Sequence, residues 1–265
     1  VDRIDLKILH LLQRRTELSR RIGDLKRRHG ALVYVPERER ELLQRVARLS
    51  RGKLNSQAAR AIFREILSSS RAEQGQAPIG CLSAGAGAVM AAARWCFGAC
   101  DRFAPRRTWR ALSRGLEDDS LVLVLLTGAD MRDVLATPAG RRTLAERFVV
   151  VGDFPLARPP AGLAERVFVV MPRLPAGEGI GNRLLILIEC KTHADRVKRW
   201  LHSMIDSSFH VEEVTLSPRA ASRARLVRVA LDKPRRALEL TATLRAGGVA
   251  FAVVGVYQAL EDDAG

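Results

Sequence analysis

Up to about Gln76 the apolar residues recur at helical spacing, and from Ile79 onward they gather into short runs. In the first stretch Val1, Ile4, Ile8, Leu11, Leu12, Leu18, Ile22 and Leu25 return every three or four positions, the period of an amphipathic helix. Gly30 and Pro36 in RHGALVYVP supply stop and restart signals. A second helix is expected through ERERELLQRVARL. A third is expected from Ser56, as N-cap, through QAARAIFREILSSSRAEQ, closed by the polar GQAP. After Ile79 the runs SLVLVLL, RFVVVGDFPL and RVFVVMP have strand length, while GAVMAAARWCF and TPAGRRTLAE have helical character. That alternation predicts a small α/β domain. RLPAGEGIG is a Pro/Gly linker. Beyond it, RLLILIEC, HADRVKRWLHSM, HVEEVTL, ARLVRVAL, PRRALELTATLRAG and VAFAVVGVY follow in the order βαββαβ, the ferredoxin-like α+β plan. The expected architecture is multidomain: an all-α bundle over residues 1–77, a small α/β domain over 78–173 and a ferredoxin-like domain over 182–262. The last plan hosts too many activities to imply one.

Composition narrows the classes. The chain of 265 residues can bury two or three small cores, and 47% hydrophobic with 28% charged residues is a soluble globular composition. The 44 Lys and Arg against 29 Asp and Glu leave +15, which would attract polyanions. Aromatic residues make up only 5%, however, and there is no zinc-finger spacing, RNP-like aromatic motif or basic arm; nucleic acid is not an expected partner. Cys81, Cys96, Cys100 and Cys190 are too few and too irregular for a disulfide framework. Cys96 and Cys100 stand four apart and could clip a metal, but no His is near, so small core residues fit better and no metal is expected. No run reaches transmembrane length and no signal-peptide pattern opens the chain, so the expectation is a cytoplasmic protein without a membrane partner.

Two cations disturb the first helix. Arg15 lies four after Leu11 and three before Leu18; Lys26 follows Ile22 by four and Arg15 by eleven, close to three full turns. Both are expected to point with the apolar stripe. On this helix alone two readings stay open: buried stems that carry their charge to water, or a bundle whose interior holds an anion.

Over about 75 residues this segment resembles the helical, AroQ-class chorismate mutases, particularly those fused to prephenate dehydratase. The resemblance runs through IDLKILHLLQRRTELSRRIGDLK, ERERELLQRV and IFREILSSSRAEQ. That family's first helix carries an Arg ten residues after an Ile-Asp or Leu-Asp pair and a Lys eleven later, matched by Arg15 and Lys26. Its second carries an Arg-Glu-Arg step before two leucines, matched by Arg38, Glu39 and Arg40. Its third carries a Ser and a Gln one turn apart after an aromatic, matched by Ser70 and Gln74 after Phe63. The resemblance implies chorismate as substrate, no cofactor, and a homodimer through the helical domain. It also implies roles. Arg15, Arg38 and Ser70 would hold carboxylate and hydroxyl groups, Glu39 would accept the ring hydroxyl, and Lys26 and Gln74 would flank the ether oxygen. Chemically this is coherent, because a unimolecular rearrangement of a dianion needs charge and orientation and no nucleophile. Two departures stand out. The family's Arg from the neighbouring subunit would precede Val1, and Val35 replaces a frequent acidic residue.

The middle segment resembles a prephenate dehydratase domain in IGCLSAGAGAVMAAAR, FVVVGDFPL and RVFVVMPR. It departs from that family where Glu165 and Arg166 precede Val167 without the catalytic Thr, and where LLTGAD replaces a Pro-Ile-Glu-Asn loop. About ten residues separate GDFPL from RVFVV, where the family inserts a second lobe; a single-lobed domain without dehydratase activity is expected. SAGAGAG lacks the Lys-Ser/Thr of a nucleotide loop and reads as a strand-to-helix turn. The last segment resembles an ACT domain in FAVVGVY and, through Ser217 and Pro218, in TLSPRA; KTHADRV, with His193 and Asp195, replaces its ligand turn. An amino-acid effector there is a possible partner, and oligomerisation an equal one. The reading is a chorismate mutase with a degenerate dehydratase-like domain; the rival is a non-catalytic regulator or assembly protein derived from such an enzyme.

Overall fold

The structure is a computed structural model, and it describes residues 1–50, 54–156, 166–173, 183–189, 210–214, 224–231, 236–246 and 251–257. His193, Asp195, Ser217, Pro218, Cys190 and the expected helix HADRVKRWLHSM lie outside the described residues.

Three helices open the chain: α1 (Asp2–Arg28), α2 (Pro36–Leu49) and α3 (Ser56–Glu73). Pro36 occupies the first turn of α2, where a missing N–H costs nothing. Asn55, not Ser56, caps α3, its side chain accepting from the Gln57 N–H; Ser56 is the first helical residue. On α1 the buried or half-buried positions are Leu12, Arg15, Thr16, Ser19, Gly23 and Lys26, a narrow stripe laid against α3. The apolar stripe of Ile4, Ile8, Leu11, Leu18, Ile22 and Leu25 is exposed instead. Arg15 and Lys26 therefore do not share the apolar stripe. They sit beside it, on the small-residue face, because Ser19 and Gly23 are what allow α3 to approach.

The α/β segment runs β1 (Ile79–Leu82), α4 (Ala86–Phe97), β2 (Phe103–Arg106), α5 (Trp109–Glu117), β3 (Leu123–Thr127), α6 (Gly128–Ala136), α7 (Pro138–Arg147), β4 (Phe148–Pro155) and β5 (Arg166–Pro172). Its sheet has the order β2-β1-β3-β5-β4, with β1 parallel to β2 and β3, and β5 antiparallel to β3 and β4. The SAGAGAG turn closes through Gly85, which takes a positive φ of 75° as the N-cap of α4. LLTGAD is not a loop. Its Thr127 and Asp130 form a capping box that starts α6. Strand β2 and helices α5 and α6 were not legible in the hydrophobic pattern, since each is short.

A second sheet holds β6 (Arg183–Glu189), β7 (His210–Val214), β8 (Ala224–Ala230) and β9 (Phe251–Tyr257) in the order β7-β8-β6-β9, every neighbour antiparallel, with α8 (Arg236–Ala246) packed on it. The two sheets share one core. Phe148, Val150, Phe168 and Val170 of the first pack with Leu185, Leu187, Val254 and Tyr257 of the second. Both sheets carry a bulge at this junction, between Val150 and Gly152 in β4 and opposite Leu185 and Ile186 in β9. There Gly255 comes so near that a Cβ on it would stand 2.4 Å from the Val150 carbonyl oxygen. Among the described residues no helix is long and apolar enough to cross a membrane.

Because the obstacle is backbone, Gly255→Ala cannot be absorbed by a side-chain rotation. The variant is expected to lose about 1–3 kcal/mol, read as a lower urea midpoint at unchanged m-value.

Candidate active site

Of the six residues singled out in the helical segment, Arg15, Lys26, Glu39 and Ser70 lie on the facing sides of α1, α2 and α3, Gln74 stands at the end of α3, and Arg38 is exposed. Arg15 donates to the Ile66 carbonyl of α3 at 3.2 Å, and the Ser70 hydroxyl donates to that same carbonyl at 2.8 Å, so these two side chains meet at one oxygen. Lys26 donates to the Val33 carbonyl at 3.0 Å, tying the end of α1 to the segment that leads into α2. Glu39, in the first turn of α2, is turned inward. Arg38, its neighbour, is exposed.

Gln74 is the C-cap of α3. Its side-chain oxygen is buried without a hydrogen bond among the described residues, while its backbone carbonyl accepts from Arg27 at 2.8 Å. Gly23 makes this junction possible: a Cβ there would lie 2.7 Å from both the Cα and the carbonyl oxygen of Gln74. Thus α1 presses on the backbone of Gln74, and Gln74 is fixed relative to Lys26, three residues further along α1.

Arg15 and Lys26 are partly buried cations that feel the Glu39 carboxylate. Burial lowers the pKa of Arg15, partly offset by the Glu39 carboxylate. Burial also lowers that of Lys26, and the Arg38 guanidinium adds to this, against an opposing pull from Glu39. The Glu39 carboxyl is pushed above its ordinary value, first by burial, against the lowering effect of Arg71. Among the described residues neither Arg15 nor Lys26 has a carboxylate partner within salt-bridge distance; both rest on carbonyl oxygens, which leave most of their charge uncompensated.

Arg71 escaped the sequence reading. Its side chain is only 3% exposed, and it donates to Glu39 at 2.5 Å, to both carboxylate oxygens of Asp101 at 3.3 and 2.7 Å, and to the Phe97 carbonyl at 2.5 Å. Its guanidinium also lies 5.7 Å from the centre of the buried Tyr34 ring. The one available signal was its spacing, since Arg71 repeats Ser68 by three and Leu67 by four on the face that becomes buried. Its carboxylate partner, thirty residues on, carries no such signal.

Residues 1–75 match the Chorismate mutase type II family. The mutase-type segment is 42% identical over 72 residues to the bifunctional chorismate mutase/prephenate dehydratase of Aquifex aeolicus (strain VF5), covering 26% of this chain and 20% of that one. To the protein of the same description from Neisseria gonorrhoeae (strain ATCC 700825 / FA 1090) it is 40% identical over 68 residues, covering 26% and 18%. The T-protein of Enterobacter agglomerans is 44% identical over 43 residues, covering 16% of this chain and 12% of that one. The chain therefore spans about a fifth or less of the length of the curated relatives it matches. Among solved structures, the prephenate dehydratase of Streptococcus mutans aligns with a TM-score of 0.46 at 12% identity, over 69% of this chain and 98% of that one. A protein described as GqqA, a novel type of quorum quenching acylase, aligns with a TM-score of 0.47 at 14% identity, over 68% and 93%.

Gly23→Ala in the mutase-type segment should cost about 1–3 kcal/mol, since the contact is with backbone. That exceeds the roughly 1 kcal/mol that Ala gains over Gly in a helix. Thermal unfolding would read the net loss as a lower Tm.

Proposed function

We propose that the chain is a chorismate mutase, whose helical segment binds the chorismate dianion and rearranges it to prephenate. The observation that carries this reading is the pair of half-buried cations, Arg15 and Lys26, resting on carbonyl oxygens of α3 and of the turn after α1 with no carboxylate within salt-bridge distance among the described residues. Uncompensated buried charge costs stability, and a dicarboxylate ligand offsets that cost. The match of residues 1–75 to the family supports the same assignment.

In the reaction one C–O bond of the substrate breaks as one C–C bond forms, with no proton or electron exchanged with the protein. What the chain can contribute is grip and field. Arg15 takes one carboxylate through its planar fork, with the Ser70 hydroxyl alongside. Lys26 meets the ether oxygen, on which negative charge grows as the bond lengthens, so its charge counts more in the transition state than in the ground state. Gln74 has one end of its amide buried and unmet, and a half-turn of that amide presents NH₂ to the same ether oxygen. Glu39 accepts the ring hydroxyl, and Arg38 stands at the open side of the site.

The α/β segment contributes no dehydratase activity in this reading. Strands β4 and β5 pair directly, so only residues 156–165 stand where a second lobe would have to enter. The final segment is proposed to be ACT-like, supported by a sheet in which the first strand lies between the third and the fourth. It would serve effector binding or oligomerisation. A homodimer through α1 completes the proposal: Leu11 is 63% exposed and Leu18 56%, in an apolar stripe that one chain leaves uncovered.

The assay is chorismate consumption by the purified protein, with prephenate and phenylpyruvate measured separately; prephenate alone is expected. Lys26→Ala should lower kcat on the order of 100-fold while the protein stays folded, and Arg15→Ala should act mainly on KM. The kcat/KM profile should fall on the acid side above the ordinary carboxylate range, where Glu39 takes up its proton. It should fall on the alkaline side below the ordinary lysine range, where Lys26 loses its proton. Wild type with no consumption would move the assignment to the non-catalytic regulator. For the dimer, Leu11→Asp combined with Leu18→Asp should give a monomer by light scattering, with activity lost in parallel.

A further inference from the structure

The mutase site as described draws on three helices, yet the α3 residue that holds its one carboxylate is itself held from outside them. Glu39 is bonded to Arg71 at 2.5 Å, and Arg71 is in turn clamped by both oxygens of Asp101, which lies between α4 and β2 of the α/β segment. Asp101 is itself fixed. Ser68 donates to it at 3.1 Å and Gln76 at 2.9 Å. The turn that carries it is pinned to α3 by hydrogen bonds from the Ala99 N–H to Glu65 and from the Cys100 N–H to Ser68, both 3.0 Å. Gly98 turns there with φ 103°, so close to Ser68 that an added Cβ would stand 2.5 Å from that residue's own Cβ. Arg71, Asp101, Ser68 and Gln76 are all buried, whereas the Glu39 side chain at the end of the network remains 19% exposed.

We propose that Arg71, aligned by Asp101, is the positioning residue that fixes the Glu39 carboxylate in the mutase site, so that the α/β segment completes the site of the helical one. The proposal rests on reading Glu39 as the acceptor of the substrate hydroxyl. The planar guanidinium matters here. It spends two donors on Asp101, one on Glu39 and one on the Phe97 carbonyl, which sets the plane in which Glu39 is held and leaves its second oxygen for the substrate. A lysine could neutralise the same charge and could not set that plane. Glu39 is then faced by Arg71 of α3, Asp101 of the α4–β2 turn, Lys26 and Arg15 of α1 and Tyr34 before α2, with Arg38 beside it. Of these, Arg71 exerts the strongest lowering influence on the carboxyl and Asp101 a weaker raising one.

The test uses the full chain. Arg71→Met, Arg71→Lys and Asp101→Asn are compared with wild type in chorismate turnover across pH. The Glu39 carboxyl is titrated in parallel by carbon NMR, its signal assigned by its absence in Glu39→Gln. For Arg71→Met, kcat/KM is expected to fall at least about tenfold. Its acid limb and the Glu39 titration should both move up by about one pH unit or more, since the cation that favours the carboxylate is gone. Arg71→Lys should bring the titration back toward wild type and recover only part of kcat/KM, because charge returns without the fork. Asp101→Asn, which touches no substrate, should still lower kcat/KM several-fold. If folded Arg71→Met keeps the wild-type profile and titration, the proposal is overturned. If Arg71→Met does not fold, Asp101→Asn decides: wild-type kcat/KM in that variant overturns the proposal. A wild type that leaves chorismate untouched, with the Glu39 titration shifting as stated, removes the mutase reading and leaves the hold of Arg71 on Glu39 standing.

Discussion

A buried guanidinium sits at the centre of the joint between the first two segments. Arg71 enters the interior of the protein at the end of α3 and meets two carboxylates, a carbonyl and an aromatic face. Taking an arginine and an aspartate out of water costs several kcal/mol each, and the loss is offset only where nearly every donor finds a partner. Here it does, with Ser68 and Gln76 meeting Asp101 from other sides. Such a network has one good geometry. It fixes the angle at which α3 meets α4, and through Gly98 and Ser68 the separation as well.

The rest of the helical segment follows from close approach. Ser19 and Gly23 let α1 lie near α3, and Gly23 reaches the backbone of Gln74. That approach aims Arg15 at the Ile66 carbonyl and places Lys26 over the turn after α1. The stripe of Ile4, Ile8, Leu11, Leu18, Ile22 and Leu25 is then turned about a quarter of the way round the helix from α3, facing outward. One helix thus carries two seams, a small and polar one for its own chain and an apolar one left open.

A similar economy joins the two sheets. Bulges in β4 and β9 coincide at Val150 and Gly255, where the backbones come close enough that no side chain fits between them. Beside that contact Asp153, fully buried, receives Arg166 of its own sheet and Arg228 of the other, each at 2.5 Å. Apolar packing supplies most of the shared core, and this ion cluster adds a polar tie between the two sheets beside it.

The sequence by itself determined the elements whose hydrophobic period is long and regular. It marked α1, α2 and α3, the strands β3 to β9 and helices α4, α7 and α8, because burial on one face imposes a period that survives in one dimension. It also marked Arg15, Lys26, Glu39, Ser70 and Gln74, which the fold gathers on the facing sides of three helices, although Arg38 stays exposed. Short elements such as β2, α5 and α6 were not legible, since a few residues hold too little of a period. Only the tertiary structure decided which seam of α1 meets α3, because Ser19 and Gly23 act through the room they leave and not through any hydrophobic mark. Only it disclosed Arg71 and Asp101. A buried ion network is defined by side chains that meet in space from distant positions, and each of its members, taken alone in the sequence, is an ordinary surface charge.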